Sequence, residues 1–158
     1  MRPRPLFSIV IPVFNEEGNI KLLISSLENA LTEYNYELIF VDDFSSDESC
    51  KIINSEANPH TSLIAFELHK GQSSALASGI KRARGHYIVT MDGDLQNDPS
   101  DIPKMLDIIQ NEALDMVIGF RQNRQDPFLK TMPSKIANFI IRMTTQLQIR
   151  DSGCALKV

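Results

Sequence analysis

The stretch Leu6-Phe7-Ser8-Ile9-Val10-Ile11-Pro12-Val13-Phe14-Asn15-Glu16-Glu17-Gly18 decides how the chain is built. Its first nine residues are almost continuously apolar and β-branched, the pattern of a strand covered on both faces, as in a parallel sheet. Pro12 has no N–H to give a ladder and is expected at the end of that strand. From Glu16 the period changes, and Ile20, Leu23, Ile24, Leu27, Ala30 and Leu31 fall on one face of a helix reaching about Tyr34. A second apolar run at 36–41 completes a strand–helix–strand unit. Beyond it, Ser45 and Glu48 have the spacing of a capping box ahead of a short helix through Ile52 and Ile53, and 61–68 reads as a third strand. A helix after Gly71 carries Ala75, Leu76, Gly79, Ile80 and Ala83 on one side, has Lys81, Arg82 and Arg84 near its negative end, and stops at Gly85. Residues 86–91 form a fourth strand, Asp98-Pro99 opens a helix with Ile102, Met105, Leu106 and Ile109 inward, 115–120 is a fifth strand and 133–147 a last helix. Strands alternating with helices at intervals of roughly 25–30 residues predict an α/β domain with a mostly parallel central sheet flanked by helices. Ligands are then expected beyond the carboxyl ends of the strands.

Composition narrows the class. The 158 residues are 42% hydrophobic and 23% charged, enough for a core that buries about 70% of the unfolded surface, which excludes a disordered tail. Sixteen Lys and Arg against 20 Asp and Glu give a net charge of −4 with no basic stripe, which argues against a nucleic-acid partner. Cys50 and Cys154 have no metal-ligand spacing and read as reduced, apolar filler. No apolar run is long enough to span a bilayer, and Met1-Arg2-Pro3-Arg4-Pro5 lacks the apolar stretch of a signal peptide, so the chain as given reads as soluble. The charge is uneven: residues 1–120 hold 9 basic and 18 acidic side chains (−9), residues 121–158 hold 7 and 2 (+5).

Charged groups collect at the predicted strand ends. The first strand runs into Asn15-Glu16-Glu17-Gly18, the second into Asp42-Asp43, the fourth into Asp92-Gly93-Asp94 and the fifth into Gly119-Phe120-Arg121. The turn after the first strand is not the Gly-x-Gly-x-x-Gly of a dinucleotide site, and no P-loop occurs. Asp92 and Asp94 offer two carboxylates one residue apart, with Gly93 allowing close approach of a ligand. Two carboxylates suit Mg²⁺ or Mn²⁺, whose other positions go to water and phosphate oxygens, and Gln96 can add a carbonyl oxygen. Taken alone, Asp-x-Asp is a common surface pattern; its place after an apolar strand is what singles it out. Asp42-Asp43 reads either as a solvated turn, with Ser45 and Ser46 capping the next helix, or as a reader of base and ribose. Lys70 and Arg121 read as surface charges or as partners of a diphosphate. His69 reads as a structural neighbour rather than a catalyst.

Residues 8–17 (Ser-Ile-Val-Ile-Pro-Val-Phe-Asn-Glu-Glu), 41–47 (Val-Asp-Asp-Phe-Ser-Ser-Asp), Lys70-Gly71 at a helix start, 92–99 (Asp-Gly-Asp-Leu-Gln-Asn-Asp-Pro) and 151–154 (Asp-Ser-Gly-Cys) together resemble family 2 glycosyltransferases of the Rossmann-like GT-A fold, in order and over nearly the whole chain. The stretches at 92–99 and 151–154 look most like the branch that glycosylates polyprenyl phosphates, typified by dolichyl-phosphate mannose synthase and undecaprenyl-phosphate sugar transferases. The resemblance implies an inverting transfer from a UDP- or GDP-linked sugar to a polyprenyl phosphate. It places Pro12, Phe14, Glu16, Val41, Asp43, Lys70, Asp92, Gly93 and Arg121 around the nucleotide sugar, and Asp92, Asp94 and Gln96 around Mg²⁺ or Mn²⁺. It assigns catalytic roles to Asp94, Arg121 and Asp151. Two positions depart from the family's pattern: Phe14, where Tyr is commoner, and Phe44, where Gly usually follows the acidic pair.

On this reading the metal neutralises charge on the departing diphosphate. A phosphate monoester acceptor, with a second pKa of about 6, needs positioning more than deprotonation; a sugar hydroxyl would need a base, for which Asp151 is the candidate. The alternatives are a family 2 enzyme acting on a glycan hydroxyl and, remotely, a Mg²⁺-binding receiver domain, whose acidic pair follows the first strand rather than the second. The resemblance also implies a single GT-A domain that continues past Val158 into an amphipathic segment and hydrophobic helices, at the cytoplasmic face of a membrane, with room for a homo-oligomer. The acidic donor half and the basic final stretch fit a metal site and an anionic membrane surface respectively.

Overall fold

The computed structural model describes residues 3–119 and 154–158. Four parallel strands form the sheet: β1 (Phe7–Val13), β2 (Tyr36–Asp42), β3 (Thr61–Ala65) and β4 (Tyr87–Thr90), in the order β3-β2-β1-β4. The helices between and after them are α1 (Ile20–Ala30), α2 (Ser49–Ser55), α3 (Gln72–Arg82) and α4 (Asp101–Glu112). β2 is buried at all its positions and β1 at all but Pro12, as the two apolar runs predict. Alternate residues serve two cores. Phe7, Ile9, Ile11, Leu38, Phe40 and Val89 pack with the apolar stripes of α1 and α4, while Val10, Ile39 and Val41 pack with Ala75 of α3 on the opposite face.

The strand order explains that division. β1, β2 and β3 progress in one direction, and the chain then crosses back to place β4 on the other side of β1. Right-handed crossovers put helices of opposite progression on opposite faces of the sheet. The reversal leaves a crevice above the carboxyl ends of β1 and β4, where ligands of open α/β sheets bind. α3 approaches closely because its inward residue is Gly79; a Cβ there would overlap Val10 and lie 3.1 Å from Val41 Cγ2.

Several boundaries differ from the sequence reading. Of the fifth strand expected at 115–120, the described residues 115–119 do not lie beside β4: residues 154–158 come between, antiparallel to both, with Thr90 and Lys157 exchanging backbone bonds of 2.9 and 3.1 Å and Val117 and Val158 bonds of 2.9 and 3.0 Å. Cys154, Leu156 and Val158 are buried and Ala155 and Lys157 are not, so this short segment has the period-2 pattern needed to fill the sheet edge. β3 ends at Ala65, and α1 begins at Ile20 after a turn at Glu16. The capping box at Ser45 and Glu48 does not form. α2 begins at Ser49, whose N–H is taken by Asp47 Oδ1 at 3.0 Å, because Ser45 and Ser46 are drawn to Asn15. The helix expected at 133–147 lies outside the described residues.

A buried polar knot closes the amino edge. Ser8 Oγ donates to Glu37 Oε1 at 2.6 Å, and Arg84 donates to Glu37 through its backbone N–H at 2.8 Å and through Nη2 at 2.7 Å. Burial pushes the Glu37 carboxyl up, but the bonds from Ser8 and Arg84 outweigh it and hold the group below the ordinary carboxylate value. Its stabilisation is therefore present above the unfolded pKa of about 4.3 and is lost as pH falls through the folded value. Glu37→Gln is expected to cost about 1–3 kcal/mol at pH 7 in urea unfolding, with the gap to wild type narrowing as pH falls below the ordinary carboxylate range. A gap that does not change with pH would show that the charge contributes nothing.

Candidate active site

The loop after β1 is held by the loop after β2. Asn15 N–H donates to Ser45 Oγ (2.9 Å), Glu16 N–H to Ser49 Oγ (2.9 Å) and Glu17 N–H to Asp47 Oδ2 (3.0 Å), while Ser46 N–H and Glu48 N–H donate back to Asn15 Oδ1 (2.8 Å) and Glu17 Oε2 (2.9 Å). Neither loop has a ladder partner for these groups, so they satisfy each other. The acidic pair is no solvated turn. Asp42 is buried and takes Ser45 N–H at 3.0 Å, and Asp43 accepts Lys70 N–H at 2.7 Å on Oδ1 and Gly71 N–H at 2.8 Å on Oδ2. His69 Nδ1 lies 3.0 Å from the same Oδ2, and its ring is 4.8 Å from that of Phe14.

These loops border a cleft of about 300 Å³ lined by Pro12, Phe14, Glu16, Asp43, His69, Gly71, Gln72, Asp92, Gly93 and Asp94, among others. A larger hollow of about 660 Å³ at the amino ends of the strands is lined by Arg4, Glu37 and Arg84, which are engaged with one another or with backbone carbonyls. The strand carboxyl ends and the carboxylate pair belong to the smaller cleft. Of the residues singled out from sequence, Pro12, Phe14, Glu16, Asp43, Asp92, Gly93 and Asp94 meet there. Val41 does not: its side chain is fully buried in the core under α3. Lys70 turns its ammonium over the Phe66 ring, 4.7 Å from the centroid, and meets Asp43 only through its backbone N–H among the bonds described. Gln96 contacts Asp94 through its backbone N–H, at 3.1 Å from Oδ1. Arg121 and Asp151 lie outside the described residues.

Gln72, the first residue of α3, donates to Asp92 Oδ1 at 2.7 Å. Sequence reasoning passed over it, since the two are 20 residues apart and only the crossover brings them together. Asp92 and Asp94 fit a divalent cation as hard oxygen donors on the cleft wall. Among the described residues no third His, Cys, Asp or Glu groups with them. Strain also collects here: of the four non-glycine residues with left-handed backbone among the described residues, Asn15 (φ 56°), Phe44 (φ 70°) and Leu95 (φ 63°) follow β1, β2 and β4. Phe44 thus holds a backbone conformation that glycine adopts more readily.

The chain matches Glycosyl transferase family 2 over residues 8–156. It belongs to that family. It is 41% identical to dodecaprenyl-phosphate galacturonate synthase of Rhizobium johnstonii, over 96% of this chain and 46% of that protein. It is 38% identical to undecaprenyl-phosphate 4-deoxy-4-formamido-L-arabinose transferase of Yersinia enterocolitica, over 95% and 47%. The chain spans about half the length of these curated relatives. Glucosyl-3-phosphoglycerate synthase of Mycobacterium tuberculosis, in complex with Mn²⁺, UDP-glucose and glycerol 3-phosphate, superposes with a TM-score of 0.73 at 19% identity over 97% of this chain and 56% of that one. The mannosyltransferase PcManGT of Pyrobaculum calidifontis, in complex with GDP-Man and Mn²⁺, gives 0.65 at 20% identity over 76% and 36%. The fold of this family 2 chain is GT-A.

The left-handed Phe44 gives a direct test of the strain. Phe44→Gly is expected to raise stability by about 0.5–1 kcal/mol in chemical unfolding, because glycine takes this φ without a Cβ penalty; a loss of stability would show that the exposed ring contributes more than its backbone costs. Behind the cleft, burial and the neighbouring Asp42 and Asp47 carboxylates push the Cys50 thiol up to about 11. Its alkylation by iodoacetamide at pH 8 should run on the order of 100-fold slower than that of a free cysteine.

Proposed function

We propose that the whole protein transfers a sugar from a UDP- or GDP-linked donor to the phosphate of a polyprenyl phosphate, with inversion at the anomeric carbon. The observation that carries this reading is identity of 41% and 38%, over nearly all of this chain, to two proteins named for dodecaprenyl and undecaprenyl phosphate. The cleft supports it, since it brings a carboxylate pair and an exposed aromatic ring to the switch point of the sheet.

In the proposed assignment Phe14, Glu16, Asp43 and the backbone at Pro12 and Gly93 shape the nucleotide site. Asp92 and Asp94, with the Gln96 carbonyl, hold Mg²⁺ or Mn²⁺, which supplies countercharge for the diphosphate. Gln72 steadies Asp92 by its hydrogen bond to Oδ1. An acceptor phosphate oxygen forms the new bond to the anomeric carbon as the bond to the diphosphate oxygen breaks, and the electron pair leaves with the nucleoside diphosphate. A dianionic monoester has no proton to lose in this step, so the work left to the protein is alignment. Arg121 and the basic residues after it are assigned to the phosphates, Asp151 to the acceptor side, and the +5 stretch to an anionic membrane surface at the cytoplasmic face.

The full-length protein, given UDP- and GDP-sugars, undecaprenyl phosphate and Mn²⁺, is expected to yield a lipid-linked sugar phosphate. Asp94→Asn should lower kcat on the order of 100-fold or more, and nucleotide binding that is strengthened by Mn²⁺ in the wild type should become metal-independent. Full activity of Asp94→Asn would remove the metal assignment. Transfer to a glycan hydroxyl with none to the lipid phosphate would overturn the acceptor assignment.

A further inference from the structure

We infer that His69 reads the nucleobase of the donor, by accepting an imino N–H on its Nε2; this rests on the reading of the cleft as a nucleotide site. Asp43 stands at the end of β2, where a base-reading carboxylate is expected, but its oxygens are already engaged. Oδ1 takes Lys70 N–H at 2.7 Å and Oδ2 takes Gly71 N–H at 2.8 Å, and the side chain is only 4% exposed. Oδ2 and the backbone carbonyl of Asp43 also face His69 Nδ1, at 3.0 and 3.2 Å. Both are acceptors, so Nδ1 carries a proton, and in that tautomer of the imidazole Nε2 is a bare acceptor.

Nε2 has no partner among the described residues, and the ring is 58% exposed on the cleft beside Phe14, itself 48% exposed. The carboxylates Asp92 and Asp94 line the same cleft. His69 follows β3 and Asp92 follows β4, with β2 and β1 between, three strand spacings apart in the sheet. A flat base resting on Phe14 would present its edge to His69.

The chemistry selects a class of base. Uracil and guanine carry an imino N–H on that edge, whereas cytosine and adenine carry a bare ring nitrogen, which would set lone pair against lone pair. A site built around one acceptor disfavours the analogue that sets a lone pair against it.

The experiment measures dissociation constants of UDP, CDP, GDP and ADP with the full-length protein in Mn²⁺. The wild type is expected to favour UDP over CDP, or GDP over ADP, by about tenfold or more. His69→Ala should bring that ratio to about threefold or less. His69→Asn keeps a donor for Asp43 but has no atom at the Nε2 position and should behave like His69→Ala, while His69→Gln, with its amide oxygen near that position, should restore the preference. A merely structural His69 predicts the reverse order for Asn and Gln. A base preference untouched by His69→Ala, or absent from the wild type, would overturn the inference and leave the nucleotide site standing. Failure of all four nucleotides to bind the wild type would instead take down the nucleotide reading, and this inference with it.

Discussion

A carboxylate buried at the end of a central strand must find hydrogen-bond donors, and Asp43 finds them in the backbone of Lys70 and Gly71. That requirement folds the loop after β3 back over the end of β2. It brings Gly71 into its left-handed conformation (φ 86°) and starts α3 at Gln72, within reach of Asp92 across the sheet. A backbone bond of 2.8 Å from Asp43 N–H to Val13 carbonyl ties the same point to β1. Three strand ends are thus registered through one residue, and the cleft takes its shape from that registration.

The surroundings divide into a stiff part and a strained part. Parallel β1 and β2, apolar on both faces, cannot shift register without moving side chains from one core to the other. The loops above them hold Asn15, Phe44 and Leu95 in left-handed backbone and meet through side-chain to backbone bonds between residues 15–17 and 45–49. Strain at such positions persists only where the surroundings enforce it, and here the enforcing elements are the buried strands. A crevice walled by rigid strand ends and reciprocal loop bonds is suited to a ligand that must be held in one orientation while a bond is exchanged at one of its atoms.

Much of this was legible in the residues. Two apolar runs of strand length gave β1 and β2, the 3.6-residue spacing of Ile20, Leu23, Ile24 and Leu27 gave α1, and carboxylates at predicted strand ends marked the cleft. The motif at 92–94 and the overall resemblance led to family 2, which the match over residues 8–156 bears out. The misreadings share a cause. Ser45 and Glu48 have the spacing of a cap but Ser45 serves Asn15, 30 residues away; residues 115–119 have the pattern of a strand but lose the place beside β4 to residues 154–158. Val41 belongs to a matching motif, yet its position in the strand turns it into the core.

Periodicity and residue type are local properties, and they alone located β1 to β4 and α1 to α4 in order and the carboxylates at the strand ends. Which donor meets which acceptor depends on groups far apart in the chain. Only the tertiary structure decided that Asp43 holds a loop, that Gln72 meets Asp92, and that His69 stands beside Phe14 with one nitrogen committed and the other exposed. A polar side chain pairs with whatever the fold places within about 3 Å of it.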